Sequence, residues 1–275
     1  MSSENSIALA VAPREGGPAS KHDWWRSKLY PVVALVIIAV FWEFASGSLF
    51  NQYFLSKPSI IFDELVESFA TGQLVQDILF TLNGTAIAFL IAAATGVATA
   101  AVFAGYNRVA TVLNPYLTFL YVLPKIALAP VIFIWLGIGA PTQITIGAIT
   151  AFFFVFYSSY HGMRGVSPAL MNTVAILGAT RMQIVTRVLI QGAAPHIAQG
   201  LRLGAIYAFH GAVVGEMVAS NQGLGYAIIF ASTRSSSAGV LAHLVVLGAI
   251  AYLFTQLIEY LFRHMDPAAR ARKAQ

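Results

Sequence analysis

The feature that most constrains this chain is a series of six long apolar blocks that are nearly free of charged residues. A helix needs ~20 apolar residues to cross the ~30 Å hydrocarbon core of a bilayer, and each block is about long enough. Of all residues 58% are hydrophobic and only 10% are charged, whereas soluble domains have ~25% charged residues. The sequence therefore predicts an all-α integral membrane protein with six transmembrane helices, at about 29–46, 78–105, 113–138, 143–160, 197–219 and 240–262.

The basic residues between these blocks are distributed unequally over the two sides that six spans define. One side carries both termini and most of the basic residues, namely Lys21, Arg26, Lys28, Arg108, Arg164, Arg181, Arg187, Arg263, Arg270, Arg272 and Lys273. The opposite side carries only Lys57 and Arg234, together with acidic residues such as Asp77. Because Lys and Arg concentrate in cytoplasmic loops, we predict that both termini and the loop 161–196 are cytoplasmic.

This topology divides the chain into four parts. Residues 1–28 form a cytoplasmic N-terminal tail, 29–54 the first transmembrane helix and the start of an external loop, 55–262 the main transmembrane domain, and 263–275 a cytoplasmic C-terminal tail. The net charge of +5 flanks the apolar blocks and forms no single basic face, so we expect a lipid bilayer and not nucleic acid as partner. The chain has no cysteine, and its histidines and acids lack metal-ligand spacing, so neither a metal site nor a catalytic residue is predicted.

The long cytoplasmic loop has its own helical pattern. Pro168 suits the first turn of a helix after Ser167, and apolar residues then recur at helical spacing. Gly178 permits a sharp turn, after which a second apolar stripe begins. Two interpretations stay open: an amphipathic hairpin that lies on the lipid surface, or a pair of short helices that docks on a cytosolic partner.

The segment "NTVAILGATRMQIVTRVLIQGAAPHIAQGLRLG" (172–204) resembles the conserved loop of binding-protein-dependent ABC transporter permeases, E-A-A, three residues, G, nine residues, I-x-L-P. The residues that match it or lie in it are Gly178, Ala179, Thr180, Arg181, Val188, Ile190 and Pro195. The chain departs from the pattern at Asn172 in the Glu position, at Thr173 and Val174 in the Ala positions, and at Gln191 in the Pro position. Two more stretches, "YVLPKIALAPVIFIWLGIGAPTQI" (121–144) and "GAVVGEMVASNQGLGYAI" (211–228), are similar to the subgroup that imports sulfonates, taurine, nitrate and bicarbonate.

The resemblance covers about 55–262 and implies a type I importer in the inner membrane. Such an importer has two permease copies, here expected as a homodimer, an ABC ATPase dimer in the cytosol and an extracytoplasmic solute-binding protein. The loop 161–196 would then be the coupling loop that contacts the ATPase. ATP and Mg would bind the ATPase, and we expect no cofactor to bind this chain. The chain has no Gly-Lys pair and hence no G-x-x-x-x-G-K-[ST] loop. The implied cargo is a small, mostly anionic solute of sulfonate, taurine, nitrate or carboxylate type.

A few polar residues and prolines inside the apolar blocks are candidates for the translocation pathway or its gate, since ionisable groups are costly in hydrocarbon. They are Pro124, Lys125, Pro130, His210 and Glu216. We expect the prolines to break the third span, and Lys125 either to hold an anion or to act structurally. Glu216 could pair with Lys125 or bond to the following "NQGLG" loop, and His210 could be a satisfied interior histidine. A stripe of small residues, Gly84, Ala88, Ala92, Gly96 and Ala100, predicts close helix packing.

Two other classes of function compete with the permease. A secondary transporter or channel would work without an ATPase, but such folds often contain internal repeats, and none is convincing here. A membrane enzyme would need a nucleophile or metal cluster, and the sequence has no recognisable spacing for either.

Overall fold

The computed structural model describes residues 21–263. Of the predicted tails at 1–28 and 263–275, residues 1–20 and 264–275 lie outside the described residues. The chain divides into two compact units at Ser59. The first unit contains α1 (Lys21–Ala45) and a turn region with an isolated bridge between Ser46 and Phe50. Within it, the Glu43 carboxylate accepts hydrogen bonds from the backbone N–H of Ser59 at 3.0 Å and from its hydroxyl at 2.8 Å.

Helices also make up nearly all of the described residues from Pro58 onward, where the first unit ends. In order they are α2 (Pro58–Ala70), α3 (Gln73–Gly105), α4 (Asn107–Val122), a 3-10 helix (Lys125–Leu128), α5 (Ala129–Leu136), α6 (Ala140–Arg164), α7 (Pro168–Ile176), α8 (Arg181–Gln183), a π-helical turn (Ile184–Leu189), α9 (Ile190–Gly192), α10 (Ala194–Ala219), α11 (Leu224–Thr233) and α12 (Ser237–Arg263).

Several of these segments are long and apolar enough to cross a membrane. Within the described residues four qualify by length and composition, at Gln73–Gly105, Ala140–Arg164, Ala194–Thr233 and Ser237–Phe262, the third of which includes both α10 and α11. A fifth qualifies if α4 and the helices of Lys125–Leu136, which meet at 92°, form one bent span. The described apolar part of α1 is the shorter stretch Val36–Ala45. The predicted helical membrane protein with several spans is therefore confirmed, whereas six spans with cytoplasmic termini stay a prediction.

The break in the third predicted span lies where the prolines predict it. Pro124 disfavours helical geometry in the preceding residue, and Leu123 accordingly has an extended backbone with ψ 133. The chain then turns into the 3-10 helix and α5, whose first turn accommodates Pro130 because a helix start needs no N–H there. The bend places Lys125 at the start of the 3-10 helix.

Helices α3, α6 and α10 form the core of the second unit, and they pack on one another more extensively than any other helices described. The predicted stripe on α3, from Gly84 to Ala100, is buried at all five positions, which confirms its role in packing. Its small side chains allow the neighbouring backbones to approach closely.

Glycines make the same close approach possible between α6 and α10. A Cβ at Gly211 would lie 2.8 Å from the Cα of Gly147, and one at Gly215 would lie 2.7 Å from the Cα of Gln143. Both contacts are with backbone, which cannot rotate aside as a side chain can. The two helices can therefore pack at this distance only with glycine at these positions.

We expect Gly211→Leu to separate α6 from α10 and to lower the thermal midpoint of the purified protein, because overpacking a core costs about 1–3 kcal/mol. Gly248→Leu in α12 is the matched control, since a Cβ there meets nothing within 4 Å. Thermal unfolding and size-exclusion chromatography in detergent measure the difference. Equal losses in the two variants would contradict the close packing of these helices.

Candidate functional site

A buried polar cluster connects the three core helices to the loop that follows α10. Glu216 in α10 is 1% exposed, Gln143 in α6 is fully buried and Asp77 in α3 is 4% exposed. The Gln143 amide Nε2 donates to Glu216 Oε1 at 2.6 Å, which joins α6 to α10 inside the core. We call Asp77, Thr81, Gln143 and Glu216 the polar clamp.

The polar clamp holds the first turn of α11. Backbone N–H groups at the start of a helix have no partner within that helix, so they need acceptors from elsewhere. Gly223 N–H donates to Asp77 Oδ1 at 2.7 Å, Leu224 N–H to Thr81 Oγ1 at 3.0 Å, and Gly225 N–H to Glu216 Oε2 at 2.8 Å. Side chains from α3 and α10 therefore cap α11, and negative charge is favourable at that end of a helix.

The "GLG" sequence has a steric explanation in this arrangement. Gly223 has φ +101, and a Cβ there would lie 2.4 Å from the Glu216 carboxyl carbon. A Cβ at Gly225 would lie 2.5 Å from the carbonyl oxygen of Val213. Neither position has room for a side chain, so the two glycines let the backbone reach the carboxylates.

Lys125 does not pair with Glu216, and of the two predicted alternatives the structure contains the bond from Glu216 to the "NQGLG" loop. The half-buried Lys125 amine lies 4.8 Å from the ring centroid of Tyr121 and 5.1 Å from that of Phe153. It also donates a hydrogen bond to the Tyr121 carbonyl. Across the described residues, this amine has no carboxylate partner.

The two rings beside Lys125 form part of an open groove of about 480 Å³. The groove is lined by Thr118 and Tyr121 from α4, by Phe153, Phe154, Tyr157, Ser158 and His161 from α6, and by Leu203 from α10. The Thr118 and Tyr157 hydroxyl oxygens are 3.2 Å apart and share a hydrogen bond. The lining is thus aromatic and hydroxylated, and we call it the aromatic groove.

The remaining pathway candidates lie at different distances from this groove. His210 is exposed and not interior as expected, with its ring centroid 5.8 Å from that of Tyr207. The Tyr207 ring stacks on Phe154, so His210 adjoins the groove through one ring. Pro124 and Pro130 flank the 3-10 helix that carries Lys125. Glu216 belongs to the polar clamp and lines no part of the groove.

The loop 161–196 turns at Gly178 as predicted, with φ +82 and nothing within 4 Å of a Cβ built there. Asn172 and Thr173 are exposed on α7, which begins at Pro168 after Ser167, and Val174 is half-buried. Ala179 and Thr180 follow the turn, and Thr180 forms a capping box with Gln183 that starts the next helix. At the tip the apolar side chains of Ile176, Leu177 and Met182 are 85%, 80% and 69% exposed.

The base of the loop is anchored to the core. Val185 and Leu189 are buried in one apolar cluster with Phe103, Phe156 and Met163, which belong to α3 and α6. The other loop candidates lie around this anchor. Arg181 lies 5.3 Å from the Tyr106 ring, Val188 is half-buried in the π-helical turn, Ile190 packs on the cluster, and Pro195 is in the first turn of α10.

Sequence reasoning missed Asp77, Thr81 and Gln143 and the rings of the aromatic groove. Asp77 is predicted only as one of the acidic residues on the external side, and the structure buries it in the second turn of α3. A signal for it existed: Asp77, Thr81 and Thr85 form a second row at intervals of four, which lies beside the small-residue stripe on the buried face of α3.

Comparison with known proteins gives the chain its family. Residues 92–271 match the model of the family described as "Binding-protein-dependent transport system inner membrane component". This match covers more than half of the chain, and it includes the loop, the clamp residues Gln143 and Glu216, and the aromatic groove from Thr118 onward.

Individual relatives match over most of their length. SsuC of Bacillus subtilis (strain 168), whose name assigns it to aliphatic sulfonates transport, is 28% identical over 91% of this chain and 91% of its own. The taurine transport system permease protein TauC of Escherichia coli (strain K12) is 27% identical over 88% of this chain and 92% of its own. The formylaminopyrimidine transport permease protein ThiX of Halalkalibacterium halodurans is 25% identical over 82% and 90%.

A solved structure has the same fold. A chain of the MetNI methionine ABC transporter, in an inward-facing conformation, aligns with a TM-score of 0.61 at 20% identity, over 70% of this chain and 96% of that one. The apolar helices and the relatives together indicate a multi-pass membrane protein. The chain belongs to the binding-protein-dependent transport system inner membrane components, the ABC transporter permeases, with relatives of the sulfonate and taurine type.

Proposed function

We propose that this chain is the permease subunit of an ABC importer in the cell inner membrane, and that two copies form the passage for a small, mostly anionic solute. A sulfonate, taurine, nitrate or carboxylate is the cargo most in keeping with relatives named for sulfonates and taurine. An extracytoplasmic binding protein delivers it, and an ATPase dimer that binds ATP and Mg drives its passage.

The observation that carries this proposal is the exposed apolar tip of the loop. Ile176, Leu177 and Met182 are large apolar side chains, and contiguous exposed groups of this kind mark interaction sites. The tip is mounted on the helical core through Val185 and Leu189, which are buried. A rigid mounting is what a docking element needs if it is to transmit the closing motion of an ATPase to the bundle.

The departure at Asn172 affects how the partner is recognised. Asn172 and Thr173 are exposed on the same turn of α7, and neither carries a charge. A glutamate at that position could form an ion pair with the ATPase, whereas Asn172 offers only neutral hydrogen bonds. The exposed Ile176 and Leu177 therefore supply most of the contact with the ATPase.

The first test concerns topology and uses the absence of native cysteine. Thr180 and Ser59 are both exposed, so Thr180→Cys and Ser59→Cys can each be treated with a membrane-impermeant maleimide in intact cells. We expect labelling of Ser59→Cys at once and of Thr180→Cys only after permeabilisation, because the basic loop is retained inside. Labelling of Thr180→Cys in intact cells would refute the cytoplasmic loop.

The second test concerns docking. Gly178→Val places a β-branched residue at φ +82, which costs about 1–2 kcal/mol and distorts the turn below the tip. We expect the variant to insert in the membrane, but ATPase co-purification and solute uptake should fall at least about tenfold, a loss of ~1.4 kcal/mol of docking free energy.

Gly72→Val is the matched control for docking. Gly72 has φ +77 and nothing within 4 Å of a Cβ, so the backbone strain is similar, but it precedes α3, at the end of the bundle predicted to be external. This variant should keep ATPase binding and uptake. Gly178→Asn should keep them too, because asparagine tolerates the left-handed region. Equal ATPase binding by Gly178→Val and Gly72→Val would refute the docking role of the loop.

A further inference from the structure

The aromatic groove combines three features that together specify one class of ligand. Its wall holds the rings of Tyr121, Phe153 and Tyr157, the Lys125 amine lies beside two of these rings, and none of its lining residues is acidic. At about 480 Å³ it falls within the ~300–1,000 Å³ typical of small-molecule sites. The charge, the hydroxyl groups and the rings each restrict the class of ligand further.

The amine provides the charge selection. An ammonium has three donors, and Lys125 uses one on the carbonyl of Tyr121. Two rings lie near it, but in the described part of the chain no carboxylate neutralises it. A cation in a membrane span is costly unless it is paired or hydrated, so an anion in the groove gains an unusually favourable partner.

The hydroxyl groups provide hydrogen bonds for the same anion. In the Thr118–Tyr157 pair, one hydroxyl donates to the other, and the second hydroxyl keeps its own hydrogen for a ligand. The Ser158 hydroxyl already donates to the carbonyl of His196 at 2.7 Å, so it is not available as a donor. The available donors thus lie on the Thr118 and Tyr157 side of the groove.

The rings select for an organic part. Tyr121 and Tyr157 have centroids 5.1 Å apart, and Tyr121 and Phe153 are 5.6 Å apart, so the three present a continuous apolar surface. A bare inorganic anion gains nothing from this surface and must lose hydration to reach it. A neutral ring compound could use the surface but would leave the Lys125 amine without a partner.

We propose that the aromatic groove is a passage site for organic anions, with a sulfonate or carboxylate beside Lys125 and an apolar body against Tyr121, Phe153 and Tyr157. The proposal rests on the proposed function only because it takes the ligand to be a transported solute. All residues of the site belong to this chain, so the site needs no partner chain. It narrows the cargo from small anions in general to those with a hydrocarbon or aromatic body.

The test uses a single cysteine at Leu203, which lines the groove but donates no hydrogen bond to a ligand. The full-length Leu203→Cys chain in lipid nanodiscs reacts with sulfonatoethyl methanethiosulfonate, an anion, or with trimethylammonioethyl methanethiosulfonate, a cation. We expect Lys125→Met to lower the anion-to-cation rate ratio about tenfold, because the positive charge beside Tyr121 and Phe153 attracts the anionic reagent and repels the cationic one. Lys125→Arg, which keeps the charge, should retain the ratio.

Ligand protection decides what the groove holds. Benzenesulfonate should slow labelling of Leu203→Cys with Lys125 intact, whereas nitrate and neutral benzenesulfonamide at equal concentration should not. Equal protection by nitrate would overturn the role of the rings, and equal protection by benzenesulfonamide would overturn the role of Lys125. A thiol that reacts with neither reagent, or that no compound protects, would overturn the site.

The proposed site can be tested independently of the fold of one variant and of the permease function. The protection experiment retains Lys125, so it holds even if Lys125→Met fails to fold, which size-exclusion chromatography detects. The labelling needs neither ATP nor partner chains. A negative result would therefore leave the permease function standing, and a failure of ATPase docking would leave the labelling result unaffected.

Discussion

The packing of α3, α6 and α10 at backbone contact is the constraint on which the rest of the structure depends. Glycine and alanine on these helices let Gly211 meet Gly147 and Gly215 meet Gln143, and in lipid such packing supplies much of what holds helices together. The same helices bury all four residues of the polar clamp. Asp77 Oδ1 and Glu216 Oε2 each accept a hydrogen bond from an N–H group at the start of α11, whereas Asp77 Oδ2 is buried without a partner among the described residues.

This arrangement connects the two ends of the bundle through one helix. α10 has 26 residues, or about 39 Å at 1.5 Å per residue, and it begins beside the anchored loop and ends at the clamp. Its glycines contact α6 along this length, and α6 also lines the aromatic groove. α10 is therefore one continuous helix that runs from the anchored loop, past the aromatic groove, to the polar clamp.

Much of the fold could be predicted because it is local. The apolar blocks predict the helices, and Pro124 predicts the break in the third span. Gly178 predicts the turn in the loop, and the small-residue stripe predicts which face of α3 packs on its neighbours. The clamp and the groove could not, because they arise where distant segments meet: Asp77 and Gly223 are 146 residues apart. The charge pattern along the sequence assigns Asp77 only to the external side and leaves Lys125 as a possible partner of Glu216. No such pattern indicates which helix start approaches which carboxylate.

The bond between Gln143 and Glu216 is the most direct point at which to test this account, because it joins α6 to α10 inside the core. A double-mutant cycle with Gln143→Leu and Glu216→Leu isolates it, with free energies of unfolding measured in mixed micelles. We expect a coupling free energy of at least about 1 kcal/mol, with the double variant less destabilised than the sum of the single ones. Additive losses, with a coupling free energy near zero, would contradict the claim that this bond joins α6 to α10 inside the core.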